Sequence, residues 1–348
     1  MKKIALLFGG KSSEYEVSLK SAAAVLEAMD TKKYTIIKIG ITQTGDWYYF
    51  TGNNEAIAAN RWQKAEYCQR VFPIVGGKER GFLLQKNEEK LIVDVLFPVL
   101  HGELVEDGCI QGLFEWMELP YVGCKTAASA ICMNKELTHR FANSLGIKTT
   151  PSIRCTMQNT DIEAIKRFIK KEQLPVFLKP LRGGSSKGIT RVTDIGQLSQ
   201  AIEAISAFDT HFIVEKEVDG FEVGCGILGN EELVIGAIDE IELAAGFFDY
   251  TEKYQMISSK IHLPARISAD MKREVSYQAE HLYRLLGCQG LARIDFFITR
   301  NGELLLNEIN TLPGFTAHSR YPNMLKEAGW SYQGILDRLI ELAEEAAG

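Results

Sequence analysis

The sequence predicts an α/β protein that opens with a doubly wound unit and turns to mixed α+β structure further along. Two observations carry that expectation and a third places the chemistry. Residues 3–8 are a continuous apolar run entering Gly9-Gly10, and a helical pattern over 17–29 follows at once. Strand, glycine turn and helix in that order open a doubly wound domain. A second group of strands, at 176–179, 189–192 and 211–215, encloses a glycine-rich loop at 182–188, RGGSSKG. Third, two apolar runs flank Asn301-Gly302, the strongest short hairpin signal.

At 348 residues the chain is long enough for two or three domains with sizeable cores. Its 46% apolar and 24% charged residues are ordinary for a soluble globular protein. A net charge of -6 without a basic tract argues against nucleic acid or an anionic membrane as partner. Residues 4–8 are too few for the apolar core of a signal peptide, and no run reaches membrane-spanning length. Seven cysteines, odd in number and without a C-x-x-C pair, read as mostly buried free thiols in a reducing cytoplasm.

From the amino terminus onward, local pattern sets the elements. No G-x-G-x-x-G follows the first strand, so the first unit does not read as a dinucleotide site. Glu16 stands three residues after Ser13, a capping-box spacing; a carboxylate receiving a cationic substrate group is the other reading. Residues 34–41 form a second strand, and Thr44-Gly45-Asp46 turns into Trp47-Tyr48-Tyr49. Residues 53–90 show no chemistry. Residues 91–100 read as one buried strand ending at His101-Gly102, where open α/β sheets bind ligands; an ordinary loop histidine is the alternative. Helix 110–117 and Tyr121-Val122-Gly123 end the first unit.

Residues 127–145 read as one helix carrying Lys135, stopped by Gly146 in the C′ position. The loop 182–188 is not a Walker sequence, but its small residues and the flanking Lys179 and Lys187 suit phosphates. A plain glycine linker is the other reading. Helix 194–207 and strand 211–215 close the second unit. Strands at 221–228 and 233–241 follow, then a long loop at 244–260, helix 271–286, the hairpin and a terminal helix from about residue 332. Long loops without structure of their own are usually lids or binding loops.

If Asn301-Gly302 fill a two-residue turn, Arg300 pairs with Glu303, Asp295 faces Glu308 and Arg293 faces Asn310. Period two puts all four on one face of the ribbon, with opposed residues roughly 4.5 to 5.5 Å apart. Opposed carboxylates destabilise unless something neutralises them. Mg²⁺ takes carboxylate and amide oxygens together with substrate phosphates. Asp295, Glu308 and Asn310 are such a set; a solvated polar face balanced by Arg293 is the alternative.

Eight motifs in order resemble the D-alanine-D-alanine ligases of the ATP-grasp superfamily over nearly the whole chain. They are Glu16-Val17-Ser18, His101-Gly102, Lys135, the glycine-rich loop, Glu215-Lys216, Asp249-Tyr250-x-x-Lys253-Tyr254, Arg293-x-Asp295 and Asn307-Glu308-x-Asn310. The resemblance implies a three-domain ATP-grasp fold: an N-terminal substrate domain at 1–124, a central subdomain with the phosphate loop at 125–214, and a C-terminal subdomain with the lid and Mg²⁺ site at 215–348. It implies ATP and two Mg²⁺ ions, with Mn²⁺ a substitute, and phosphoryl transfer to D-alanine followed by attack of a second substrate's amine. A homodimer is the expected assembly, without nucleic acid or membrane as partner.

Carried over by residue, the resemblance makes Asp295, Glu308 and Asn310 the metal ligands and Lys135 and Lys179 phosphate contacts. Ser185 and Ser186 belong to the loop over the phosphates. Glu215, Lys216, Val218 and Glu222 form the adenosine set, with Phe247 and Phe297 beside the nucleotide. Glu16, next to Val17, receives the ammonium of the first D-alanine, and His101 lines that subsite. Glu16, Ser185 and Tyr254 form a hydrogen-bonded link. Arg293 and the Gly314 backbone N–H stabilise the tetrahedral oxyanion, while Phe248, Lys253, Tyr254 and Ser319 border the second subsite.

Two departures refine the reading. Val105 stands where the family commonly has glycine, which affects the shape of that loop. Ser319-Arg320-Tyr321-Pro322 resembles the vancomycin-resistance ligases, yet Glu252-Lys253-Tyr254 keeps the lid sequence that the D-lactate enzymes replace, and Phe247-Phe248-Asp249 has Phe where Tyr is usual. The combination is similar to the D-alanine-D-serine ligases, which supply peptidoglycan precursors ending in D-Ala-D-Ser. An arginine near the second subsite, held by Asp239, adds polar groups that a hydroxymethyl side chain satisfies and a methyl does not. Arg320 as a plain surface residue is the alternative. The rival functions are D-alanine in both subsites, another ATP-grasp ligase, and a nucleotide-binding regulatory module.

Overall fold

Unbroken burial from Ile4 to Phe8 puts β1 (Lys2–Gly9) in the middle of the first sheet, because a strand covered on both faces is apolar at every position. Ile4, Leu6 and Phe8 enter one core, Ala5 and Leu7 the other. The computed structural model describes residues 1–184, 187–243 and 259–347. The expected site residues Ser185, Ser186, Phe247, Phe248, Lys253 and Tyr254 lie outside the described residues. Following β1 are α1 (Tyr15–Ala28), β2 (Tyr34–Ile41), β3 (Trp47–Phe50), α2 (Asn54–Ala58), β4 (Cys68–Pro73), β5 (Gly81–Leu84), β6 (Lys90–Ile92) and β7 (Val95–Leu100).

The strand order is β6-β5-β4-β3-β2-β1-β7. β1 is parallel to β2 and β7, and the others pair antiparallel. Residues 53–90, which carried no chemistry, thus build β4 and β5 and lead into β6 on one side of the sheet. The single strand expected at 91–100 is two strands. Asp94 breaks it by accepting from Lys3 N at 2.7 Å and donating its own N–H to Lys3 O at 2.8 Å. Because β6 and β7 end the strand order yet are two residues apart in sequence, the sheet curls back on itself.

After α3 (Cys109–Trp116), the one helix expected at 127–145 is also two, α4 (Thr126–Met133) and α5 (Lys135–Ser144). Asn134 is extended at φ -93° and ψ 104°, and its side chain caps α5 by accepting from Leu137 N. Asparagine offers the backbone such an alternative partner, which is why it interrupts helices. Both helices share their core with the third sheet, through Ala128, Cys132 and Ala142.

The second sheet has β8 (Ser152–Thr156), β9 (Val176–Pro180), β10 (Thr190–Val192) and β11 (His211–Lys216) in the antiparallel order β10-β9-β11-β8. The amphipathic helices α6 (Ile162–Glu172) and α7 (Leu198–Ile205) cover it with Ile165, Phe168, Leu198 and Ile202. The third sheet joins β12 (Gly220–Gly229), β13 (Leu233–Ile235), β14 (Asp239–Leu243), β15 (Ser259–His262), β16 (Leu291–Thr299) and β17 (Leu304–Asn310). Its order is β15-β14-β12-β16-β17, with β13 also on β12. The strand expected at 233–241 splits where Gly236 N turns to Gly226 O at 2.8 Å.

Behind this sheet lies α8 (Ala269–Leu285), capped by Ser268. The chain ends with α9 (Arg320–Glu327), which local pattern did not suggest, and α10 (Tyr332–Glu345). Ile335, Leu336, Leu339 and Ile340 of α10 enter the core of Ile4, Leu6 and Phe8, so the carboxyl end covers the first sheet. The cysteines are free thiols, four of them buried. Among the described residues no helix is long and apolar enough to cross a membrane.

Candidate active site

The hairpin at Asn301-Gly302 forms between β16 and β17, but its turn is not the two-residue one. Thr299 N donates to Glu303 O at 2.9 Å, and Gly302 sits at φ 77°. A three-residue loop closed by a left-handed glycine follows the twist of the strands, and it pairs Ile298 with Leu304 instead of Leu305. A bulge then leaves Asn307 between the pairs Phe296–Leu306 and Asp295–Glu308. The two one-residue shifts cancel. Asp295 therefore faces Glu308 and Arg293 faces Asn310, as the spacing predicts, although the turn that led there is different.

Asp295 is 1% exposed and accepts from Arg293 Nε at 2.9 and 3.0 Å, from Arg293 Nη2 at 2.8 Å and from Asn310 Nδ2 at 3.0 Å. Arg320 stands on the same face, 9% exposed, so the surface reading of it is overturned. It donates through Nε and Nη2 to the two oxygens of Asp239 at 2.7 Å and through Nη1 to Glu222 at 2.8 Å. Its Nη2 is also 3.4 Å from Asp295 Oδ1.

Four carboxyl groups, of Glu222, Asp239, Asp295 and Glu308, thus meet two guanidiniums, Arg293 and Arg320, so the face is short of positive charge by one when Glu222 is protonated and by two when it is ionised. Burial pushes the Glu222 carboxyl up to about 7, helped by Asp295 and Glu308 and opposed by Arg320. Burial, the largest influence, and Arg320 would lower Arg293, but the charge and hydrogen bonding of Asp295 together with the charge of Glu308 raise it on balance. Among the described residues no group of three or more His, Cys, Asp or Glu side chains is arranged to hold a metal ion, but Asp295, Glu308 and Asn310 carry the hard oxygen donors that a divalent cation takes together with substrate phosphates. Burial of Asp295 and Arg293 excludes the solvated-face reading.

That face is one wall of a cleft of about 490 Å³ between the second and third sheets. Lys135, Lys179, Glu215, Lys216, Val218, Glu222, Arg293, Phe297, Glu308 and Arg320 all line it. Lys135 Nζ donates to Gly183 O at 2.6 Å and Lys179 Nζ to Glu215 Oε1 at 2.5 Å, beside the glycine-rich loop. Asn134 makes the first placement, since breaking the helix there starts α5 at Lys135, whose N–H meets Leu181 O at 3.2 Å. Phe177, Ile189, Val218, Phe221 and Phe297 give the other end apolar walls suited to a nucleobase.

Eight expected residues stand outside that lining: Asp239, Asp295 and Asn310, which belong to the network of carboxylates and guanidiniums above, and the five that follow. Glu16 is exposed near the start of α1. Its capping-box reading is overturned, because Glu14 holds the cap position and no side chain bonds there. Val17 is buried beside it. His101 Nδ1 is 3.2 Å from Leu312 O and so ties the first sheet to the segment after β17. Gly314 approaches Ser319, where an added β-carbon would be 3.2 Å from Oγ. Ser319 Oγ accepts from Thr316 N at 2.9 Å.

Some neighbours had no mark in the sequence. Arg266 donates to Glu240 at 2.6 Å on the cleft wall and Glu106 accepts from Gly102 N at 2.8 Å, while Lys187, which the sequence did offer for phosphates, makes an unforeseen contact from Nζ to Ser13 O at 2.5 Å. Each joins residues far apart in the chain or on loops, where no period signals the pairing.

A family model described as D-ala D-ala ligase N-terminus matches residues 3–124, and one described as D-ala D-ala ligase C-terminus matches residues 141–341. The chain belongs to the D-alanine-D-alanine ligase family. This ligase is 50% identical over 346 residues to the vancomycin C-type resistance protein VanC1 of Enterococcus gallinarum, covering 99% of each chain. It is 40% identical over 352 residues to a D-alanine-D-alanine ligase of Thermoanaerobacter pseudethanolicus, covering 99% of this chain and 97% of the other. The VanG D-Ala:D-Ser ligase structure from Enterococcus faecalis matches with a TM-score of 0.89 at 47% identity, over 98% of this chain and 99% of that one. A D-alanine-D-alanine ligase from Bacillus anthracis complexed with ATP matches with a TM-score of 0.74 at 25% identity, over 100% and 99%. The mixed α/β ATP-grasp fold and the family are as the sequence predicts. The ligase is an ATP-dependent enzyme that couples D-alanine to a second small substrate.

Proposed function

We propose that this ligase joins D-alanine to D-serine through a D-alanyl phosphate, for peptidoglycan precursors ending in D-Ala-D-Ser, in the cytoplasm. The observation that carries the choice of second substrate is Arg320, buried and gripped by both oxygens of Asp239. A fixed guanidinium of this kind adds donors that a hydroxyl can answer and a methyl cannot, and a site built for a hydroxyl discriminates strongly against its absence. The likeness to VanC1 and to the VanG D-Ala:D-Ser ligase supports the same choice.

In this reading Lys135 and Lys179 hold the ATP phosphates under the loop of Ser185 and Ser186, and Glu215, Lys216, Val218, Glu222, Phe247 and Phe297 take the nucleoside. Asp295, Glu308 and Asn310 would hold two Mg²⁺ ions, or Mn²⁺, and these would supply charge neutralisation to the transferring phosphoryl group. Glu16 fixes the ammonium of D-alanine beside Val17 and His101, linked through Ser185 to Tyr254. The D-alanine carboxylate oxygen attacks the γ-phosphorus and ADP departs. The amine of the second substrate then attacks the acyl carbon, phosphate leaves and the amine gives up a proton. Arg293 spends Nε and Nη2 on Asp295, so its Nη1 is the nitrogen offered to the oxyanion, beside the Gly314 N–H. Phe248, Lys253, Ser319 and Arg320 border the second subsite. Domains at 1–124, 125–214 and 215–348 and a homodimer complete the reading.

The second reading, D-alanine in both subsites, is favoured by the 40% identity to a D-alanine-D-alanine ligase. Phosphate release and product identity with D-alanine alone, and with D-alanine plus D-serine near neutral pH, separate the two. D-alanyl-D-serine is the expected main product of the mixture; chiefly D-alanyl-D-alanine overturns the proposal.

A further inference from the structure

We infer that His139 is a positioning residue for the metal-bearing bulge, holding the Asn307 carbonyl with its Nε2–H and thereby aiming Glu308. This rests on the reading of Asp295, Glu308 and Asn310 as the metal site.

An extra residue in one strand has no partner across the ladder, and bulges re-aim side chains next to active sites. Here the bulge brings both Asn307 and Glu308 to the cleft. The peptide unit from the Asn307 carbonyl to the Glu308 nitrogen is planar, so fixing that carbonyl fixes the direction in which Glu308 leaves the chain. His139, on α5 and 4% exposed, supplies the contact: its Nε2 is 3.3 Å from Asn307 O.

The tautomer follows from the partners. A carbonyl only accepts, so Nε2 carries the proton. Burial depresses the imidazole pKa, with Lys179 and Lys135 adding to it and Glu215 and the Asn307 carbonyl opposing. The ring is therefore neutral, and Nδ1 accepts from the Ser152 hydroxyl at 3.4 Å. Ser152 pairs with Glu215 across β8 and β11, and Lys135 lies one turn before His139 on α5. One imidazole thus ties together the helix of one phosphate lysine, the ladder that carries Glu215, and the strand that carries the metal ligand. Hydrogen bonds behind a metal site orient its ligands, and this one acts on Glu308 through the Asn307–Glu308 peptide unit.

The test compares His139→Leu, which removes the donor, with His139→Gln, whose side-chain amide donates at a similar reach. The readouts are Mn²⁺ binding to the ADP complex by water-proton relaxation, ADP affinity without metal, and nitrogen NMR of the His139 ring. His139→Leu is expected to weaken Mn²⁺ binding by about tenfold, with metal-free ADP affinity within about twofold of the parent and His139→Gln near the parent in both. The ring should show the Nε2–H tautomer. A folded His139→Leu protein with Mn²⁺ affinity within about twofold of the parent overturns the inference, as does a His139→Gln protein as weak as the leucine variant. If His139→Leu does not fold, an Nδ1–H tautomer in the parent overturns it alone. A parent whose Mn²⁺ binding survives Asp295→Asn overturns the metal reading itself, which is a distinct result from a parent that loses binding with Asp295→Asn and keeps it with His139→Leu.

Discussion

Arg320 is where residue chemistry and specificity meet. Asp239 is fully buried, and Arg320 is bonded to both of its oxygens. Removing one partner of a buried ion pair costs about 3–5 kcal/mol, because the other charge is left in a low dielectric. Arg320→Leu should therefore lower stability by about that amount in chemical denaturation while shifting product toward D-alanyl-D-alanine; unchanged selectivity in the folded fraction counts against the role. Glu222 gives a second prediction. Its folded pKa, about 7, lies above the ordinary 4.5, so between these values the folded protein keeps a proton that the unfolded chain has released. The stability linked to this group is present below the ordinary value and is lost as pH rises through 7. Thermal melts of metal-free protein should fall from pH 5 to pH 8 by more than those of Glu222→Gln, and Mg²⁺ should oppose the fall by binding the ionised form. Parallel pH profiles for parent and variant would refute this.

At the scale of elements, small interruptions place the site. Asn134 ends α4 and caps α5, so Lys135 starts a new helix against the glycine-rich loop. Loss of such a cap costs about 0.5–2 kcal/mol. For Asn134→Ala the expected result is a loss of that size, with a raised KM for ATP and an unchanged KM for D-alanine; equal changes in both would show a general defect instead. The Asn307 bulge and the Gly302 loop are a second pair of interruptions, each one residue out of regular register. The hairpin was legible from Asn301-Gly302 because turn chemistry is local. Its bulge was not, because an extra residue is specified by the elements that press on it.

Across the whole molecule, the carboxyl end closes on the amino end. Leu339 on α10 is fully buried in the core of Ile4, Leu6 and Phe8 and is not part of the cleft lining. Leu339→Ala should cost about 2–5 kcal/mol, as deletions in tight cores do, and leave the KM values of the folded enzyme unchanged. A cost under about 1 kcal/mol would mean that α10 is not part of that core.

The face shared by Arg293, Asp295, Glu308 and Asn310 came out as expected only because the three-residue loop and the bulge offset each other; by itself the sequence determined the elements whose signal is a period or a turn: β1 and α1, and the β16–β17 hairpin. Those depend on residues a few positions apart, or on one turn. The pairing of Arg320 with Asp239, 81 residues away, was expected from the resemblance and is present, but only the tertiary structure decided that Arg320 is buried there and that His139 meets Asn307 across 168. Hydrophobic period says which side of an element is inside, but not which distant polar group shares that interior. That choice is made when two sheets and a helix close on one cleft, where a buried charge or carbonyl must find its partner or unfold the site.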